Sequence, residues 1–207
     1  MTAALFLALG LQDPGAVLER ASAAYRTVAT LSAEFVQIVS NPLVGAPDTT
    51  RGRLYQQRPN RFAMRFARPG GDRIVADGRY LWLYTPSTTP GQVIRAVIPD
   101  VGTTGPNLIG QFVERPVERY RARYLRSEAV DGDTADVVAL IPREPNPAYS
   151  GAVIWVARAD ALVRRIDITE VSGQQRIVIL RRLKVNGAVP AREFTFSPPA
   201  GTRVVDQ

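Results

Sequence analysis

The sequence has no cysteine and no histidine, and each absence removes a class of chemistry. Disulfide bridges and thiolate nucleophiles need cysteine, the usual catalytic triads need histidine, and most zinc sites are built from these two residue types. A disulfide-stabilised miniprotein is therefore excluded, and we expect neither a metal nor another cofactor. A chain of 207 residues, 45% of them hydrophobic, is long enough to bury one sizeable core.

Lysine is almost absent: Lys184 is the one lysine among 26 basic residues, and the formal net charge is +7. Arginine suits phosphates and carboxylates, so nucleic acid, membrane headgroups and acidic proteins are the partners to consider. The arginines are spread from Arg20 to Arg203, however, and the pairs Arg164-Arg165 and Arg181-Arg182 lack interleaved aromatic residues. We therefore expect no nucleic-acid partner and interpret most of the excess as compositional bias.

Long hydrophobic runs are also missing. The longest lies at the start, from Thr2 to Leu11, which is too short to span a bilayer but suits the apolar part of a secretory signal. Ala8-Leu9-Gly10 is a small-x-small triplet of the kind that signal peptidase cleaves. We interpret residues 1–11 as the remnant of a signal peptide and residues 12–207 as one exported domain, the alternative being an ordinary frayed terminus.

The remaining chain predicts one clear helix followed by strands. Asp13 suits the N-cap and Pro14 the first turn of an amphipathic helix that extends to Val28. From Leu31 the hydrophobic period drops to two, and about ten strands separated by short turns follow, which favours an antiparallel sheet. A short helix at Leu108–Val113 interrupts the strands.

The sequence also predicts two hairpin turns and the position of the last strand. Asp77-Gly78 is predicted to form a two-residue type I′ hairpin turn. Asn186-Gly187 is predicted to be a second hairpin turn, leading into a strand at Arg192–Ser197, with residues 198–206 as a tail.

The strand at Arg61–Phe66 alternates strictly, so that Arg61 and Arg65 belong to a solvent face and the apolar residues to the other. A sheet of this many strands tends to curl, and its concave side must be filled. If the two helices cover that side, the apolar faces line either a cavity or a solid core. Short helices over a wide curved sheet favour the cavity.

Several motifs occur in the same order and spacing as in the outer-membrane lipoprotein carrier (LolA) family, which the chain resembles from about residue 15 to residue 206. They are Leu31-Ser32-Ala33-Glu34-Phe35-Val36-Gln37, Gly52-x-Leu54, Arg58-Pro59-Asn60-Arg61-Phe62, Val75-Ala76-Asp77-Gly78, Leu81-Trp82-x-Tyr84, Asn186-Gly187-Ala188-Val189 and Phe194-x-Phe196-x-Pro198-Pro199-x-Gly201.

The resemblance implies an α+β, mainly antiparallel fold: a curved, unclosed β-barrel of about ten or eleven strands with helices forming a lid over a hydrophobic cavity. It implies a monomeric periplasmic carrier without catalytic activity. Such a carrier accepts acylated lipoproteins from an inner-membrane ABC exporter and passes them to an acceptor at the outer membrane.

The resemblance also assigns residues. Arg58 is the arginine expected to hold the lid closed through hydrogen bonds to backbone carbonyls of a lid helix. Together with the alternation of the strands, it nominates seven residues for the lipid cavity, each of which has ordinary core packing as its alternative. They are Phe62, Met64, Phe66, Leu81, Leu83, Ile109 and Phe112.

Three other classes of function stay open. A periplasmic lipid sensor or glycolipid carrier uses the same fold, although sensors of this kind usually add a second domain for which this length leaves no room. A purely structural interaction module needs no cavity. An enzyme would rest on carboxylate pairs such as Asp131/Asp133 or Glu114/Glu118, which are more typical of a turn and a solvated helix face.

Overall fold

The computed structural model describes residues 13–68, 70–98 and 107–207. The predicted signal-peptide remnant, residues 1–11, lies outside them. The helices are α1 (Pro14–Arg26), α2 (Gly110–Val113), α3 (Pro116–Arg119) and a 3₁₀ turn at Ala191–Phe194. The strands are β1 (Thr30–Asn41), β2 (Val44–Gln57), β3 (Arg61–Arg68), β4 (Arg73–Asp77), β5 (Tyr80–Tyr84), β6 (Gln92–Val97), β7 (Tyr120–Val130), β8 (Asp133–Pro142), β9 (Tyr149–Ala157), β10 (Val163–Glu170), β11 (Gln175–Val185) and β12 (Arg203–Asp206).

One twelve-stranded sheet contains all the strands, in the order β12-β6-β5-β4-β3-β2-β1-β11-β10-β9-β8-β7. Every neighbouring pair is antiparallel except β12 and β6, which are parallel. In the described part of the chain the sheet ends at β12 on one side and β7 on the other and does not close. The prediction of a mainly antiparallel, unclosed barrel is confirmed, with one or two more strands than expected.

The concave side of the sheet carries the main hydrophobic core. Phe62 and Met64 from β3 lie in the same buried cluster as Leu18 from α1, so this helix covers the concave side. Ala63, between them, belongs to a second cluster on the outer side, together with Trp82. The predicted alternation of faces along the strand at 61–66 is therefore confirmed. No helix within the described ranges has both the length and the apolar character needed to cross a membrane.

The outer side of β3 is not simply a solvent face. The 3₁₀ turn packs onto it, with Phe194 buried in the outer cluster. Arg65 forms an ion pair with Glu193, Nε to Oε2 at 2.7 Å, and its Nη2 donates to the backbone oxygen of Arg192 at 2.9 Å. The expectation of a solvent-facing Arg65 was wrong because the carboxyl-terminal segment covers it, whereas Arg61 is exposed.

The carboxyl-terminal segment differs from its prediction in two ways. The strand expected at Arg192–Ser197 is absent, since residues 191–194 form the 3₁₀ turn and prolines on both sides of the segment lack the N–H groups that a ladder needs. The expected tail instead contains β12, which pairs with β6. Asp206 anchors it through two hydrogen bonds from Arg95, at 2.6 and 2.9 Å.

Asn186-Gly187 is therefore not a hairpin turn. The Asn186 side chain accepts from the Ala29 N–H at 2.8 Å and donates to the Thr27 oxygen at 3.1 Å. It ties the end of β11 to the connection between α1 and β1.

At the other predicted turn Gly78 has a φ of 106°, and Asp77 is not among the residues with positive φ, so the turn is not type I′. The Asp77 carboxylate caps it by accepting from the N–H groups of Arg79 and Tyr80, at 2.8 and 2.7 Å.

The helix predicted at Leu108–Val113 is shorter than expected, because α2 begins at Gly110. Asn107 Oδ1 accepts from the Gly110 N–H at 2.8 Å. Pro116 starts the separate helix α3, where a proline at the first position removes no intrahelical hydrogen bond. Both short helices pack against α1.

Candidate functional site

Helix α1 and the segment from Asn107 to Arg119 form a cover over the concave face, hereafter the lid. Asp13 accepts from the Gly15 N–H at 2.9 Å and starts α1, as predicted. Val17, Leu18 and Tyr25 are buried along the face of α1 that packs onto the concave side. The lid is thus held mainly by apolar contact, and polar contacts at its margins decide how firmly it stays closed.

Arg58, at the turn between β2 and β3, contacts both parts of the lid. Its Nη2 donates to the backbone oxygen of Tyr25 at 3.1 Å, and its guanidinium lies 5.1 Å from the centre of the Tyr25 ring. The same Nη2 is 3.9 Å from Glu114 Oε1 in the second part of the lid. Because helix carbonyls near a C-terminus carry partial negative charge, α1 presents a favourable site for this cation.

The hydroxyl of Tyr25 makes a second junction. It donates to Asn107 Oδ1 at 2.7 Å and accepts from Gln56 Nε2. Burial raises the pKa of Tyr25 to about 12, so the hydroxyl keeps its proton at neutral pH. The Tyr25 side chain therefore joins α1 to β2 and to Asn107 in the second part of the lid.

The far side of α1 is held by a buried carboxylate. Asp136 on β8 is 1% exposed and accepts from Arg20 Nη2 of α1 at 3.0 Å and from Arg158 Nη2 at 2.6 Å. Burial disfavours its charge, but the hydrogen bonds and charges of Arg158, with Arg20 and Tyr124, hold the pKa of Asp136 below its usual value. Arg20 and Arg58 thus fix α1 at two separate places.

We predict that acid weakens this attachment of α1. A carboxyl whose folded pKa is depressed stabilises the fold above its unfolded pKa, about 3.9, and the contribution is lost as pH falls through the folded value. The free energy of unfolding should therefore fall below about pH 4, and less steeply in Asp136→Asn, which cannot titrate there. Urea titrations at several pH values measure the free energy of unfolding of both proteins. If it falls equally steeply with decreasing pH in the wild type and in Asp136→Asn, the prediction is contradicted.

Phe112 of α2 is the most deeply inserted part of the second lid segment. It is fully buried, with its ring centre 6.2 Å from that of Tyr120 and 5.5 Å from that of Tyr149. The Tyr120 hydroxyl donates to the backbone oxygen of Gln111 at 2.8 Å and lies 2.6 Å from the Tyr149 hydroxyl. Burial also raises the pKa of Tyr120, which keeps it a neutral donor.

The seven residues nominated for a lipid cavity all come from elements around the concave face. Phe62, Met64, Ile109 and Phe112 are buried in its core cluster, and Phe66 and Leu81 pack against that cluster. Leu83 is half-buried and pairs with Ile74 and Ile94.

Among the residues that the structure describes, a cavity of about 10 Å³ lies beneath the lid, between α1, α2 and the strands. It is lined by Ala21, Tyr25, Leu31, Ile109, Val113, Leu162, Val163 and Leu183. That volume is about the room for one water molecule. At this place the described side chains of the lid and of the sheet pack against one another, so a long apolar ligand fits between them only if the lid moves.

Sequence reasoning missed the polar residues at the margins of the lid: Tyr25, Gln56, Asn107 and Asp136. The sequence did indicate that Gln56 is buried, because it lies two residues after the buried Leu54 on β2 and therefore on the same face of the sheet. The Tyr25–Asn107 pair left no such signal because 82 residues separate its members.

An open antiparallel half-barrel with an apolar concave side and a helical lid defines a class of binding proteins that enclose apolar ligands. The family model of the outer membrane lipoprotein carrier protein LolA matches residues 26–197, and the chain belongs to this family. It is 30% identical to the outer-membrane lipoprotein carrier protein of Albidiferax ferrireducens, over 88% of this chain and 87% of that one. The carrier protein of Chromobacterium violaceum is also 30% identical, with 85% and 81% covered.

Solved structures show the same fold at low sequence identity. An uncharacterized conserved protein from Thermus thermophilus has a TM-score of 0.57 and 12% identity, covering 93% of this chain and 98% of that one. MucB, in its Pseudomonas aeruginosa complex with MucA, has a TM-score of 0.54 and 15% identity, covering 93% of this chain and 63% of that one. At these identities the likeness concerns the fold alone.

Proposed function

We propose that this protein is a periplasmic carrier that takes lipoproteins from an inner-membrane ABC exporter, shields their acyl chains, and delivers them to an acceptor at the outer membrane. The observation that supports it most is the continuous apolar concave face under a lid that packs onto it and has polar contacts at its margins. Each methylene removed from water contributes about 0.8 kcal/mol, so an acyl chain needs such cover to cross an aqueous compartment.

Loading requires the lid to open, because the cavity that the described residues of α1, α2 and the sheet enclose has room for about one water molecule. As α1 and α2 move away from the sheet, acyl chains enter between Ile109 and Phe112 of the lid segment on one side and Phe62, Met64 and Phe66 of the sheet on the other. Leu81 and Leu83 extend this lining along β5.

Release follows from the same energetics. A ligand shifts an equilibrium only by its difference in affinity for the two states, so the free energy that favours the closed lid is subtracted from the affinity for acyl chains. The contacts of Arg58, Tyr25 and Arg20 thus weaken the grip on the cargo. A carrier needs this weakness to pass its cargo on.

The test is release of a labelled lipoprotein from inner-membrane vesicles that contain the exporter of the same organism. With ATP, the purified protein should bring the lipoprotein into the soluble fraction as a stoichiometric complex, and outer-membrane vesicles should then take it up. The same mixture without ATP is the control. A lipoprotein that stays in the pellet with ATP present contradicts the proposal, and uptake of free lipid without exporter dependence favours a lipid sensor.

A further inference from the structure

Gln56 is a polar side chain on the apolar concave face. It is 5% exposed and pairs across the sheet with Leu31 on one side and Phe62 on the other, both in the main core. A buried amide needs partners for its donor and its acceptor groups, or its burial is unfavourable. Gln56 is partnered on one side only, since its Oε1 has no hydrogen-bond partner among the described residues.

The network itself fixes which end of the amide is unpaired. Asn107 Oδ1 accepts from the backbone N–H of Gly110, so this atom is the carbonyl oxygen. Tyr25 has one hydroxyl proton and donates it to Asn107. The Tyr25 oxygen can then only accept from Gln56, which places Nε2 against Tyr25 and leaves Oε1 as the unpaired acceptor.

The position of this acceptor connects it to the ligand space. Tyr25 and Leu31, its hydrogen-bond partner and its cross-strand neighbour, both line the small cavity beneath the lid. When the lid opens, Tyr25 moves with α1 and Asn107 moves with the second segment. Gln56 stays on the sheet, and its amide then offers a free N–H and a free C=O next to Phe62.

The chemistry of an amide selects its partner. The Oε1 atom accepts a hydrogen bond and needs a donor, which hydrocarbon chains, esters and phosphodiesters lack. A secondary amide has an N–H that can donate to Oε1, and because its C=O points the opposite way in the trans form, the pairing is one hydrogen bond. We infer that Gln56 binds the amide that joins an acyl chain to the amino terminus of the cargo, and so distinguishes N-acylated proteins from acyl esters. This inference rests on the proposed function, because it requires that acylated cargo enters under the lid.

The experiment compares two matched probes on the full-length purified protein. One is an N-palmitoylated tetrapeptide; the other replaces its first residue by the corresponding hydroxy acid, so that the acyl amide N–H becomes an ester oxygen. Both compete against a fluorescent fatty acid below their micelle concentrations. Wild-type protein should bind the amide probe about 5–10-fold more tightly than the ester, the usual value of one net hydrogen bond.

Variants locate the effect. Gln56→Leu and Gln56→Met should bind both probes equally, whatever the change in overall affinity, because the ratio cancels any effect on lid opening. Gln57→Leu, at the next position and on the other face of β2, should keep the preference. An equal affinity of wild type for the two probes, or a preference that survives in both Gln56 variants, overturns the inference. Failure of wild type to bind either probe instead overturns the proposed function.

Discussion

Arg58→Leu should hold an acylated lipoprotein about tenfold more tightly than the wild type and release it correspondingly more slowly. The substitution removes the hydrogen bond to the Tyr25 oxygen, the stacking on the Tyr25 ring and the ion pair with Glu114. Hydrogen bonds from charged groups contribute about 1.5–3 kcal/mol, and the partial exposure of Arg58 favours the lower end. About 1.4 kcal/mol less stabilisation of the closed lid corresponds to the tenfold change.

The measurement is the rate at which preloaded protein passes a labelled lipoprotein to outer-membrane vesicles. Arg61→Leu is the matched control, because Arg61 is an exposed arginine at the start of the next strand in the same hairpin. It should release cargo at the wild-type rate. Release of cargo from Arg58→Leu at the wild-type rate contradicts the assignment of Arg58 as a contact that holds the lid closed.

Gly52→Ala should lower the free energy of unfolding by roughly 3 kcal/mol, the upper end for overpacking. A Cβ atom at this position would lie 2.0 Å from the backbone oxygen of Arg65 and 2.8 Å from the Phe35 ring. A backbone atom cannot turn aside as a flexible side chain can, so β3 must shift. The shift would also disturb the edge-to-face pair of Phe35 and Phe66, whose ring centres are 5.1 Å apart.

Urea unfolding, monitored by circular dichroism, measures this difference. The dependence of the free energy of unfolding on urea concentration should be the same for both proteins, which establishes that their unfolded states are alike. Gly187→Ala is the control, because a Cβ there meets nothing within 4 Å and its φ is not in the positive region. It should change the free energy of unfolding by no more than about 0.5 kcal/mol. Equal midpoints for Gly52→Ala and wild type contradict the packing account.

The features that local sequence determines were predictable. The N-cap and first-turn proline of α1 and the alternation along β3 depend on neighbours a few residues apart, and both are confirmed. The glycine of the Gly52-x-Leu54 motif could be recognised from the family pattern, but its reason is visible only where Phe35 and Arg65 meet it.

The features that distant residues determine were not predictable. Strand β12 forms because Arg203–Asp206 reaches β6, and its anchor joins residues 111 positions apart. The 3₁₀ turn that replaced an expected strand depends on the outer cluster that contains Phe194. Local patterns carry no information about contacts of this kind. The predictions of a strand at Arg192–Ser197 and of a tail at residues 198–206 were therefore wrong.

The arginine excess, interpreted from composition as bias, has a structural use at two places on the sheet. Arg165 lies 4.3 Å from the centre of the Trp155 ring and forms two 2.7 Å hydrogen bonds to Asp167. Arg95 combines a ring contact with Tyr80, at 5.0 Å, with two hydrogen bonds to Asp206. A planar guanidinium can stack and bind a carboxylate with two N–H groups at once, which the point charge of lysine cannot do.

The central claim is that acyl chains bind on the concave face under the lid, and photo-crosslinking tests it most directly. A photoreactive phenylalanine at Phe62, and in a second protein at Phe112, should crosslink to the acyl chains of a bound lipoprotein. The same probe at Phe194, an equally buried aromatic position in the outer cluster, should not. Crosslinks at Phe194 with none at Phe62 or Phe112 would place the cargo on the wrong side of the sheet and contradict the account.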